Sequence, residues 1–170
     1  MDVPLWVAAP VAALAVTAAW ADVRTRKIPN ALTGPALLLA LLAHLFLEGP
    51  LGLRGALAGM LIAGGVMLPG WLLRLTGAGD VKLMAALGAW LAFPHALFAT
   101  LAALIAGGVV AAGIALRRGL LRQVLWNTAG LGAWLFSAAR AGGPPPGSGV
   151  RFPFAVAVLA GSIASLWIRR

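Results

Sequence analysis

Long apolar runs alternate with short polar joints along this chain. The first run extends from Val3 to Ala21 and is followed by Asp22, Arg24, Arg26 and Lys27. The second covers Ala31 to Leu47, with His44 as its one oddity, and the third covers Gly55 to Leu73, between Arg54 and Arg74. From Leu83 to Leu116 the chain carries no charged residue. Pro94-His95 interrupts that stretch, which predicts a short helix to Phe93 and a longer one after it. A last run spans Phe152 to Ile168. A membrane-crossing helix needs about 20 predominantly apolar residues. The pattern therefore predicts an all-α, polytopic integral membrane protein with about six transmembrane helices.

The region 117–149 fits this pattern least. Leu120 to Ala139 mixes Arg122, Gln123, Asn127 and Thr128 with apolar residues. That mixture suits one interfacial helix, and a seventh span is the alternative. Gly142 to Gly149 (GGPPPGSG) reads as a loop, because Gly and Pro break both helix and strand. Residues 1–170 are thus expected to form a single transmembrane domain, with 117–149 as a cytoplasmic or interfacial segment ending in the Pro/Gly loop.

Composition sharpens the choice of solvent. Of the 170 residues, 62% are hydrophobic and 10% are charged, against about 25% charged in soluble domains. A water-soluble enzyme, a disordered chain and a disulfide scaffold are excluded. Cysteine is absent, which removes thiol nucleophiles and cysteine zinc sites. The net charge of +9 would suggest nucleic acid in a soluble protein. Here the basic residues occupy joints between apolar runs, so membrane topology explains them and no nucleic-acid partner is expected. The positive-inside rule puts Arg24, Arg26, Lys27, Arg74, Lys82, Arg117, Arg118 and Arg122 in the cytoplasm and the N-terminus outside, for six spans or seven. Ala19-Trp20-Ala21 resembles a signal-cleavage site. The stretch before it has no Lys or Arg, which favours an uncleaved first helix.

Four acidic residues remain: Asp2, Asp22, Glu48 and Asp80. An Asp in the middle of a spanning helix costs about 2.5–3.5 kcal/mol. Asp22 and Asp80 lie close to apolar helix ends and fall on the same side of the predicted topology, so they can meet. Two carboxylates at close range cannot both ionise. One holds a proton and polarises a carbonyl, while the other draws a proton from water, the chemistry of aspartic proteases. Gly77 and Gly79 precede the second Asp, and glycine admits positive φ and close backbone approach, here expected towards an extended substrate strand. Pro29 biases Ile28 away from helix, and Asn30 is a candidate cap for the next helix. Taken singly, Asp80 could simply cap its helix, and Asp22 could pair with Arg24 or Arg26.

Two blocks carry a family resemblance. Asp22-Val23-Arg24-Thr25-Arg26-Lys27-Ile28-Pro29-Asn30 resembles the first catalytic motif of the type IV prepilin peptidases, and Gly77-Ala78-Gly79-Asp80-Val81-Lys82-Leu83 resembles their second, the GxGD motif. Two apolar helices separate the blocks, as in that family. Arg151-Phe152-Pro153-Phe154 resembles the entrance of the family's final helix. The resemblance implies a polytopic intramembrane aspartyl endopeptidase that cuts the leader from type IV prepilins at the cytoplasmic membrane face. Asp22 and Asp80 take the two catalytic positions, with no metal and no cofactor. Larger members add a cysteine-bearing insert and methylate the new N-terminus. This chain lacks both insert and cysteine and resembles the short, peptidase-only branch serving Flp/Tad-type pili, in the inner membrane.

Among the supporting positions, Lys82 is expected to meet an acidic substrate group or lipid phosphate, or to act as a basic anchor. Arg24 is expected to anchor topology in contact with membrane lipid. His44 and His95 are expected to be structural, and Gly59, Gly64, Gly65, Gly107 and Gly108 to serve close helix packing. The competing functions are a proton-coupled transporter built on two carboxylates and a non-catalytic pilus-assembly membrane factor. A transporter would place its acids near midplane, whereas these two sit at one edge.

Overall fold

The computed structural model describes residues 3–25, 28–72, 76–117, 119 and 122. Four helices account for nearly all of them: α1 (Leu5–Thr25), α2 (Asn30–Leu72), α3 (Ala78–Leu91) and α4 (His95–Arg117), with no strand among the described residues. Arg26, Lys27, Arg74, the interfacial segment beyond residue 122, the 142–149 loop and the helix expected at Phe152–Ile168 lie outside the described residues. The choice between six and seven spans lies there too.

The sequence pattern anticipates separate second and third spans, with a joint near Arg54. The structure has one 43-residue element whose helical geometry fails only at Gly49 (φ 71°, ψ −162°). Glycine takes this left-handed φ without a Cβ penalty, and Pro50 behind it starts the next helical stretch. Contacts with α3 show that the chain reverses here. Along the first limb, residues 30–48, Asn30 meets Lys82 and His44 meets Trp90, so this limb runs parallel to α3. Along the second limb, residues 50–72, Gly64 meets Ala85 and Gly59 meets Gly88, so it runs antiparallel. Two helical limbs stand where two spans are expected, but Arg54 lies within the second limb and not in a loop.

α3 occupies the centre. Leu83, Met84, Ala86, Leu87, Gly88, Ala89, Trp90 and Leu91 are all buried, covering every face of the helix. α1 presents a single stripe to this core, Val7, Val11, Leu14 and Ala18, and the next residue in that register is Asp22. α4 closes the other side with Ala96, Ala99, Thr100 and Ala103. The Thr100 hydroxyl donates back to the Ala96 carbonyl at 2.6 Å, so its polar group is satisfied within its own helix.

Glycine at the crossing of α2 and α3 has a steric reason. A Cβ on Gly59 would run into the Gly88 carbonyl oxygen, and one on Gly88 into the Gly59 carbonyl oxygen. Gly64 faces Ala85. Gly65 and Gly108 are also expected at packing positions, but among the described residues a Cβ added to either would meet nothing within 4 Å. Gly88, the true counterpart of Gly59, is absent from the sequence-based expectation.

The helices define two poles. At one lie the end of α1, both ends of α2 and the start of α3. At the other lie Trp6, His44, the Gly49 reversal, Trp90 and the α3–α4 joint. His44 is buried there, with Nδ1 2.8 Å from Glu48 Oε2, Nε2 3.1 Å from the Trp90 carbonyl oxygen and its ring edge-on to Trp6. It ties three helices together far from the carboxylates, as a structural histidine should. The outer surface is rich in exposed Leu, Val, Phe and Trp, among them Leu5, Leu38, Phe46, Leu51 and Leu61. α1 and α2 are long and apolar enough to cross a membrane. Such a surface fits lipid as its solvent.

Candidate functional site

The first pole gathers the two sequence blocks. α1 continues past the expected limit at Ala21, so Asp22 is a helical residue in the last full turn. Its place at the end of the buried stripe turns it inward, and it is only 8% exposed. Its Oδ2 has no hydrogen-bond partner among the described residues. A buried carboxylate oxygen without a donor is costly, so such an oxygen marks a place where water or another ligand belongs.

Asp80 stands in the first turn of α3, before the uncharged run that starts at Leu83 and hence outside the spanning segment. Its Oδ2 accepts a hydrogen bond from the Gly77 backbone N–H at 3.0 Å. This is the carboxylate half of a capping box, so the expectation that Asp80 could cap its helix holds. The cap also fixes the rotamer, and it occupies Oδ2 alone. The Asp80 carboxyl is held above the ordinary carboxylate range. Burial is the largest cause, the Gly77 N–H opposes it, and the negative charge of Asp22 raises it further. The charge of Asp22 is thus felt at Asp80 across the α1–α3 contact, despite their separation in sequence.

The glycines make room within the loop itself. Gly77 has φ −79° and ψ 151°, a conformation open to any residue, so positive φ is not required. A Cβ there would lie 3.2 Å from Asp80 Oδ2, and one on Gly79 would lie 3.2 Å from Ile28 Cβ. Gly77 leaves room for the capping carboxylate, and Gly79 admits the chain's own Ile28. Among the described residues, the close approach at Gly79 is made by Ile28.

Asn30 is corrected likewise. The first turn of α2 is closed by the Pro29 carbonyl, which accepts from Leu32 and Thr33. The Asn30 side chain turns across to α3, where Oδ1 accepts from Lys82 Nζ at 2.9 Å. Lys82 therefore has an internal partner that sequence reasoning missed. Ile28 was missed as well. Its signal was an apolar residue isolated in a polar joint. Pro29 is exposed at the head of α2, with Ile28 non-helical before it. Arg24 does not join the cluster: its guanidinium lies 4.4 Å from the centroid of the exposed Trp20 ring, an aromatic–basic pair suited to the headgroup zone. Among the described residues no group of three or more His, Cys, Asp or Glu could hold a metal ion.

Among the described residues, an all-helical bundle with an apolar exterior and two carboxylates, Asp22 and Asp80, at one end defines a class of helical membrane-type protein with an acidic site at its edge. The chain belongs to the type IV leader peptidase family, whose sequence model matches residues 9–112. The match covers most of α1, all of α2 and α3 and most of α4, and so includes both acidic blocks. No curated protein and no solved structure matches it. Family membership makes the chain a peptidase of the prepilin leader type.

Proposed function

We propose that this chain is an intramembrane aspartyl endopeptidase in which Asp22 and Asp80 form the catalytic dyad. The observation that carries the proposal is the convergence of a buried Asp22, with one carboxylate oxygen unpartnered, on an Asp80 whose acidity Asp22 weakens. Mutual repulsion favours the state in which the pair holds one proton. The ionised member takes a proton from water, the water attacks the scissile carbonyl, and the protonated member donates to the carbonyl oxygen. Protons then pass to the leaving amine as the tetrahedral intermediate collapses. The proton belongs to the pair, so neither Asp is assigned as acid or base alone.

The substrate is a type IV prepilin of the Flp/Tad kind, cut at the cytoplasmic face of the inner membrane, with the protein's N-terminus outside. Gly77 and Gly79 shape the wall beside Asp80, while Pro29, Asn30 and Lys82 line or support the approach and Arg24 anchors the end of α1 at the headgroup zone beside Trp20. The absence of cysteine favours a peptidase-only enzyme without N-methyltransferase activity. Placement of both acids at the bundle end, not at its middle, supports hydrolysis over proton transport.

Co-expression with a prepilin from the same genome, scored by mobility shift, tests the reading. Asp22→Asn and Asp80→Asn are each expected to lower cleavage to below about a thousandth of wild type, with membrane insertion unchanged. Full cleavage by either variant overturns the dyad.

A further inference from the structure

The segments that follow Asp22 and surround Asp80 touch at two independent points. Ile28 packs on Gly79, whose missing Cβ leaves the space that Ile28 fills. One helical turn further, Lys82 Nζ donates to Asn30 Oδ1 at 2.9 Å. One contact is apolar and fixes approach. The other is a charge-assisted hydrogen bond and fixes direction. Asn30 opens α2, and Lys82 is two residues beyond Asp80 in the first turns of α3. The two contacts therefore clamp the connection after Asp22 to the turn that holds Asp80.

We infer that the Lys82–Asn30 bond, seated on the Ile28–Gly79 contact, is a positioning joint that sets the separation of the two carboxylates. The inference rests on the dyad reading for its kinetic consequence but not for its geometry. Asp22 sits at the end of one long helix and Asp80 at the start of another. Without a brace between the neighbouring segments, small tilts of α1 or α3 would move the carboxylates apart. Misplacement by about 1 Å can cost about 100-fold in rate. On this account Lys82 acts through Asp80 and is not the group that receives an acidic substrate.

The closing experiment has a geometric arm and a kinetic arm. The chain has no cysteine, so an Ile28→Cys/Gly79→Cys pair can be oxidised in membranes without substrate. A Cβ at position 79 would lie 3.2 Å from Ile28 Cβ, close to the range of about 3.5–4.5 Å that a disulfide uses. Cross-linking is expected, and its absence in a correctly inserted protein overturns the joint whatever the catalytic residues are.

In the kinetic arm, Lys82→Met and Asn30→Leu are each expected to lower kcat at least about tenfold with KM within about twofold. The double variant should be no worse than the poorer single, because both remove the same bond. Lys82→Arg, which keeps a donor, should recover most of the lost turnover. Losses that multiply, or that fall on KM alone, refute the positioning role. Cross-linking with normal cleavage by Asp22→Asn would sink the dyad and leave the geometric joint standing.

Discussion

At the scale of single residues, the carboxyl group of Asp80 is subject to opposing influences. Its carboxylate caps α3 through Gly77, yet burial and the charge of Asp22 hold its pKa above the ordinary value of 3.8. A group raised in the folded state binds more protons there than in the unfolded chain. Stability then falls as pH rises from about 3.8 through the folded-state value, and the full penalty persists above it. Thermal melting of detergent-purified protein over a pH series should show this against Asp80→Asn. The wild type is expected to lose stability relative to the variant as pH climbs through that window, with a constant difference above it. A difference that grows in wild type's favour with rising pH would contradict the site's electrostatics. Asp22→Asn should shrink the effect by removing one of its causes.

At the scale of elements, glycine decides how closely α2 and α3 cross. At Gly59 and Gly88 the opposing atoms are backbone, which cannot rotate away. Gly59→Ala and Gly88→Ala are therefore expected to destabilise by about 1–3 kcal/mol, the usual cost of overpacking. Gly65→Ala meets nothing within 4 Å among the described residues and should be neutral or stabilising by up to about 1 kcal/mol. Melting temperatures of the three variants in one detergent test the contrast. The five glycines at 59, 64, 65, 107 and 108 look alike in sequence because α2 and α4 are apolar on every face. A helix that is hydrophobic all round gives no sign of which side meets protein and which meets lipid. The buried stripe of α1 is hidden for the same reason, and so is the fact that Asp22 ends it. The reversal at Gly49 was partly legible, as a Gly-Pro pair between two apolar runs, but its placement before Arg54 depended on the contacts of α3.

At the scale of the whole molecule, the two poles predict which residues face which compartment. The proposed topology puts the carboxylate pole in the cytoplasm and the Gly49 reversal outside. Thr25→Cys and Ala78→Cys should react with a membrane-impermeant thiol reagent only from the cytoplasmic side. Leu51→Cys, exposed at the opposite pole, should react only from outside. Labelling of positions 25 and 51 from the same side would overturn the arrangement.

Over the described residues, the apolar runs and their lengths sufficed to indicate helices, their approximate limits and a membrane setting, because spanning length and the exclusion of charge are local constraints. The two acidic blocks were legible through residue type and order alone. Which atoms those blocks join was settled only by the folded chain. Lys82 meets Asn30, Ile28 fills the gap at Gly79, and Gly88 lets Gly59 approach, each across 29 to 52 positions of sequence. Such pairings depend on the relative rotation and depth of packed helices. Uniformly apolar helices leave both undefined until steric fit and a few hydrogen bonds select one arrangement.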